Sequence, residues 1–155
     1  MSTLGKMMAI CATAHADQKD KGGKPYFLHC MAVMNILGSD DEELNCIAVG
    51  HDLLEDCAGQ GYDIAYLREK GFSDRIVYAI DALTKKPKQS YFEYKETVFS
   101  NYDSMRVKMA DLTHNSDIRR LKGITEKDRA RMAKYHEFYM ELTYKIKNHQ
   151  NNIKA

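Results

Sequence analysis

From Thr3 to about Asn148 the apolar residues of this chain return at intervals of three and four, and nowhere do they alternate over a strand's length. That rhythm stacks apolar side chains on one stripe of a helix, so the expected fold class is all-α. Leu4, Met7, Met8, Cys11, Ala12 and His15 line one face of a first helix predicted over Thr3 to Lys19. Gly22 and Gly23 interrupt it, and Pro25 suits the first turn of a second helix over Tyr26 to Leu37, which Gly38 stops. Ser39 or Asp40 can cap a third helix reaching Glu55 or Asp56, whose acidic start suits the positive end of the helix dipole. Short helices near Ile64 to Lys70 and Ser73 to Leu83 follow, then helices over Tyr91 to Phe99 and Ser104 to Ile118. Thr125 and an acidic first turn open a last helix from Glu126 to about Asn148. The sum is a single domain spanning 1–155, with about seven or eight helices.

Charge narrows the partners. Lys and Arg number 23 against 22 for Asp and Glu, which gives no bulk attraction for nucleic acid or an anionic membrane. No apolar run approaches the roughly 18 residues of a membrane span, and the chain reads as cytoplasmic. Cys11, Cys30, Cys46 and Cys57 contain no CxxC pair and mostly have small or apolar neighbours, so they read as free, buried thiols.

The chemistry concentrates in three segments. His51-Asp52 lies in the third predicted helix, with Glu55-Asp56 one turn on, and Leu44, Ile47, Ala48 and Leu54 or Glu55 share the inward face with His51. His29 follows Pro25 by four residues, and Asp111 sits among Val107, Met109, Ala110 and Leu112, where an unpaired carboxylate would be costly. Two imidazoles and two carboxylates, from His29, His51, Asp52 and Asp111, suit a divalent ion. Mn²⁺ is the first choice, with Fe²⁺ or Zn²⁺ behind it. Such an ion activates water and polarises a phosphoryl oxygen, and Glu55 and Asp56 are spaced to orient the water and move its proton.

The segments AHADQKDKGGKPYFLH, HDLLED and VKMADLTHN, in that order, resemble the HD-domain phosphohydrolases. More narrowly, they are similar to the (p)ppGpp hydrolase domain of RelA/SpoT homologues and the stand-alone small alarmone hydrolases. The resemblance implies a compact HD-domain helical fold and Mn²⁺ held by His29, His51, Asp52 and Asp111, with Glu55 and Asp56 as the catalytic acids. It implies a small-molecule nucleotide substrate, cleaved at its 3′-diphosphate to pyrophosphate and GDP or GTP. Asn115, Lys21, Lys24 and Lys108 would then contact the substrate, and Lys108 also precedes Asp111 by three residues on one helix face. Two positions depart from the family pattern. Asp20 stands where an arginine usually packs on the guanine, and Asp117 follows His114-Asn115 where a cation is usual. They keep open a related hydrolase of another phosphorylated nucleotide or cofactor, such as an NADPH phosphatase, and, from a different class, a catalytically silent nucleotide-binding module.

Other histidines and aromatics are given packing roles. His15 reads as a structural hydrogen-bonding residue, His114 as a neighbour of the metal ligands, and Tyr91, Phe92, Tyr94 and Phe99 as core. His136, beside Tyr135 and Phe138, is expected to pack within the last helix, which can also serve a homo-oligomer interface.

Overall fold

The computed structural model describes Met1–Ala155 and is all-α, with nine α-helices and one isolated antiparallel bridge, Lys19 to Pro25. The helices are α1 (Thr3–Ala14), α2 (Phe27–Leu37), α3 (Glu42–Gly50), α4 (Leu53–Asp56), α5 (Ile64–Glu69), α6 (Asp74–Leu83), α7 (Tyr91–Phe99), α8 (Tyr102–Asn115) and α9 (Glu126–Lys154). None is long and apolar enough to cross a membrane.

Short polar side chains start most of them. Ser2, Asp41, Asp63, Ser73, Ser90, Asn101 and Thr125 each accept a backbone N–H of the following turn, and Ser90 with Glu93 and Thr125 with Asp128 form reciprocal capping boxes. The cap of α3 is thus Asp41, one or two residues beyond the expected Ser39 or Asp40. Ser39 instead accepts the backbone N–H of Asp41.

Buried α3 is the hub. Leu44, Cys46, Ile47, Ala48, Val49 and Gly50 are all enclosed, with α1, α2, α6 and α8 packed around them. Gly50 permits the closest approach, because a Cβ there would lie 2.9 Å from Ile80 Cδ1 and 3.0 Å from Met7 Sδ. All four cysteines are free and buried, as expected. Tyr91, Tyr94 and Phe99 meet fully buried Phe138 edge-on, which supports their core reading, whereas Phe92 is exposed. His136 is also exposed rather than packed, because Phe138 and Leu142 carry the buried stripe of α9.

Several boundaries differ from the periodicity, and α9 runs on to Lys154, six residues past the expected Asn148. The first helix ends at Ala14, not Lys19, because the Gln18 carbonyl accepts from Tyr26 N and Asp20 N donates to the Lys24 carbonyl, drawing this strip into a hairpin-like loop. The third predicted helix is two, parted at His51 and Asp52, where Asp52 adopts φ −103°, ψ 0°. Finally, α8 begins at Tyr102 under the Asn101 cap and stops at Asn115, and a 3-10 turn at Ile118–Arg120 follows.

Candidate metal centre

The break between α3 and α4 is what forms the site. An uninterrupted helix would send adjacent side chains about 100° apart, whereas here His51 Nε2 and Asp52 Oδ2 lie 2.9 Å from each other. His29, from the first turn of α2, brings its Nε2 to 3.2 Å from His51 Nε2 and 3.7 Å from Asp52 Oδ2. Asp111, on α8, brings its Oδ1 to 3.1 Å from His29 Nε2 and 3.4 Å from His51 Nε2. One ligand atom from each of the four residues thus falls within 4.8 Å of all the others.

Protons on the outer nitrogens decide what faces inward. His51 Nδ1–H donates to the Ala48 carbonyl at 2.8 Å, which leaves a lone pair on Nε2. His29 Nδ1 lies 2.7 Å from His114 Nδ1, and a proton held on His29 there turns its Nε2 lone pair inward as well. Burial, with the Arg120 charge, pushes the His114 imidazole down to about 4, so its Nδ1 can accept. Two ring lone pairs and two carboxylate oxygens then converge with no donor between them. Two atoms each about 2.1 Å from one ion stand roughly 3.0–3.4 Å apart; four of the five separations above lie at 2.9–3.4 Å, and His29 to Asp52 is wider at 3.7 Å. Outer hydrogen bonds of this kind orient metal-binding imidazoles and raise their basicity.

The surroundings hold negative charge in place. Burial alone would raise the Asp52 carboxyl, but the charge and hydrogen bond of His51 hold it down to about 2. Burial alone would lower the His51 imidazole, yet Asp52 and Asp111 hold it well above its usual value. The cluster therefore draws a cation, whether proton or metal. Lys108 Nζ donates to Asp111 Oδ2 at 2.8 Å, Asn115 Nδ2 to Asp111 Oδ1 at 2.7 Å, and Tyr26 OH to Asp52 Oδ2.

Glu55 and Asp56 extend from α4 and are exposed. Burial of their carboxyl environment and the nearby Asp52 charge raise both above ordinary carboxylate values, although a backbone bond from Lys85 at 2.7 Å tempers Glu55. Two clefts open beside the cluster. One, of about 670 Å³, is lined by Glu55, Tyr62, Thr84 and Lys85. The other, of about 210 Å³, is lined by Lys21, Tyr26, Asn115, Arg120, Arg131 and Tyr135. Of the lysines singled out in the sequence, Lys21 thus faces the cleft of Tyr26 and Asn115. Lys24 lines a separate depression behind the loop, and Lys108 is engaged by Asp111.

Arg120 was not among the sequence candidates. It donates to Asn115 Oδ1 at 3.0 Å and to Asp20 Oδ2 at 3.3 Å, so the acid at position 20 serves as its counter-charge. Gly22 lets this loop close on the 3-10 turn, since a Cβ would sit 2.6 Å from the Arg120 carbonyl oxygen. Asp117 is likewise neutralised, by Arg119 at 2.7 Å.

A solved structure described as a metazoan ortholog of SpoT that hydrolyzes ppGpp matches with a TM-score of 0.74, over 96% of this chain and 93% of that one, at 19% identity. The chain has the fold of that SpoT ortholog. No protein-family model matches the sequence. Over its full length the chain is 26% identical to the guanosine-3′,5′-bis(diphosphate) 3′-pyrophosphohydrolase of Vibrio cholerae, of which it spans 23%. Over 94% of its length it is 27% identical to the bifunctional (p)ppGpp synthase/hydrolase SpoT of Escherichia coli, of which it spans 22%. The resemblance read from the three motif segments agrees with these similarities, and the all-α expectation agrees with the fold.

Proposed function

We propose that this chain is a metal-dependent 3′-pyrophosphohydrolase of (p)ppGpp, converting it to GDP or GTP and pyrophosphate. The observation that carries the reading is the convergence of four ligand atoms, with the outer nitrogens of His51 and His29 and the outer oxygen of Asp111 already bonded. The similarity to proteins named as (p)ppGpp hydrolases supplies the substrate class. His29, His51, Asp52 and Asp111 would hold the ion; two imidazoles and two carboxylates suit Mn²⁺ or Fe²⁺, with Zn²⁺ also able to bind, and the resemblance to the HD hydrolases makes Mn²⁺ the first choice. Bound there, a divalent ion supplies a Lewis acid that activates water and polarises the phosphoryl group.

The remaining work falls to side chains. Glu55 and Asp56, with carboxyls raised toward neutrality, exchange protons more readily than ordinary carboxylates: one takes the proton of the attacking water as the other returns one to the departing O3′. Asn115 and Lys21 line the cleft where the nucleotide would lie, as do Arg120 and Arg131, each already paired with an acid, Asp20 and Asp128. Lys108 acts indirectly, by neutralising Asp111.

Incubation of the purified chain with Mn²⁺ and ppGpp should release pyrophosphate and GDP. Orthophosphate from NADPH, with ppGpp left intact, would replace this reading with that of a cofactor phosphatase. Metal binding without turnover of either would make the chain a nucleotide-binding module. Asp52→Ala should lose metal content and turnover together.

A further inference from the structure

His15 has no part in the chemistry above, yet it is 1% exposed and closely placed behind the acidic pair. It caps the end of α1, and its ring lies 5.2 Å from that of Tyr26, the residue that donates to Asp52. His15 Nδ1 is 2.7 Å from Gln18 Oε1, and Gln18 Nε2 donates to Asp56 Oδ2 at 2.9 Å. An ionised carboxylate only accepts, so the amide of Gln18 must turn its NH₂ toward Asp56 and its carbonyl toward the imidazole. The proton of His15 therefore sits on Nδ1. Its Nε2 is left buried with no hydrogen-bond partner.

That orphaned nitrogen is the informative part. A buried polar atom without a partner costs free energy, and an apolar ring of similar size would fill the same space without the cost. What an apolar ring lacks is the Nδ1–H that fixes the Gln18 amide. The neighbouring thiol does not need the imidazole, since Cys57 Sγ can donate to the Ala14 carbonyl at 3.5 Å.

We propose that His15 is a positioning residue for Asp56, acting through Gln18: its Nδ1–H sets the amide so that the NH₂ holds Asp56 Oδ2 in one orientation. The proposal rests on the reading of Asp56 as a proton carrier. It extends that reading inward by two residues, to a histidine that never meets the substrate.

His15→Phe keeps a ring and removes the donor, whereas His15→Asn returns an N–H to the place of Nδ1. His15→Phe should lower kcat on ppGpp about tenfold or more, with KM within about twofold and metal content unchanged. His15→Asn should recover most of the loss, and Gln18→Leu should match His15→Phe, the double variant being no slower than either alone. Wild-type kcat in His15→Phe, or His15→Asn as slow as His15→Phe, overturns the proposal. Should His15→Phe fail to fold, unchanged kcat in Gln18→Leu does the same. Nitrogen-15 NMR of the histidines gives a readout independent of turnover: His15 must carry its proton on Nδ1, and an Nε2–H tautomer overturns the proposal. A wild-type chain that leaves ppGpp intact would sink the functional reading instead, with the tautomer still deciding the role of His15.

Discussion

Lys108→Met is the sharpest test of whether the four-residue cluster demands a cation. The Lys108 side chain is 18% exposed and its Nζ lies 2.8 Å from Asp111, whose side chain is 4% exposed. Methionine keeps most of the stem and removes the ammonium, which also lies 5.5 Å from the Tyr94 ring centroid and 5.9 Å from that of Phe138. Stranding a buried partner costs about 3–5 kcal/mol, and partial exposure of the lysine side chain puts this case near about 3 kcal/mol. For a domain of this size each kcal/mol is roughly 2–4 °C in Tm, so the chelated variant should melt about 6–12 °C below wild type. Metal should reverse much of the loss. At a hundredfold excess over Kd, binding to the folded state alone adds about 2.7 kcal/mol, and the gain should be larger in the variant, where the ion takes over as the counter-charge of Asp111. Protonation of His51 is the competing remedy, so the deficit should shrink as pH falls. The assay is thermal melting by circular dichroism in chelator and in Mn²⁺ across a pH series. A variant within about 2 °C of wild type in chelator, with a metal response no larger than wild type's, would refute the charge argument.

Other residues give further expectations. Tyr26→Phe removes the hydroxyl that Asp52 accepts and should weaken metal affinity about tenfold or more by metal titration, while the fold, read by circular dichroism, stays intact. Gly50→Ala puts a methyl group 2.9 Å from Ile80 Cδ1 and should destabilise by about 1–3 kcal/mol in urea denaturation. Asp52, held down to about 2 by His51, contributes stability that is complete above its ordinary value near about 3.9; a chelated sample should lose it as pH falls through about 2. Because Glu55 and Asp56 are raised, the acid limb of the rate profile should fall above the ordinary carboxylate range, and Glu55→Ala should retain the metal and lose about 10²–10⁴ in kcat.

The helices and the four-residue cluster are legible because each has a local signature. The 3.6-residue rhythm marks α2, α6 and α7 nearly to the residue, and the apolar neighbours of Asp111 betray a carboxylate that needs a partner. What the sequence hides is long-range. Arg120 and Asp20 are one hundred positions apart, so nothing near either residue announces their pairing, and two apparent departures from a family pattern turn out to be neutralised acids. The end of α1 at Ala14 was hidden for a related reason: residues 15–19 have acceptable helical character, and only backbone bonds to the Lys24–Tyr26 strip make the loop preferable.

The break at His51-Asp52 shows how a site can override local preference. Apolar spacing continues through it, with Leu53 and Leu54 as buried as Leu44 and Ile47, so periodicity alone favours one helix to Asp56. At this corner the Asp52 carboxylate meets the two imidazoles, and two bonds hold it: Ala48 accepts from the His51 ring, and Tyr26 donates to Asp52. Both partners lie outside the dyad, which is why the two letters His-Asp do not by themselves specify the turn that brings them together. Asp56 is carried along by the same break, since α4 is a single turn whose last residue is tied back through Gln18 to the loop after α1.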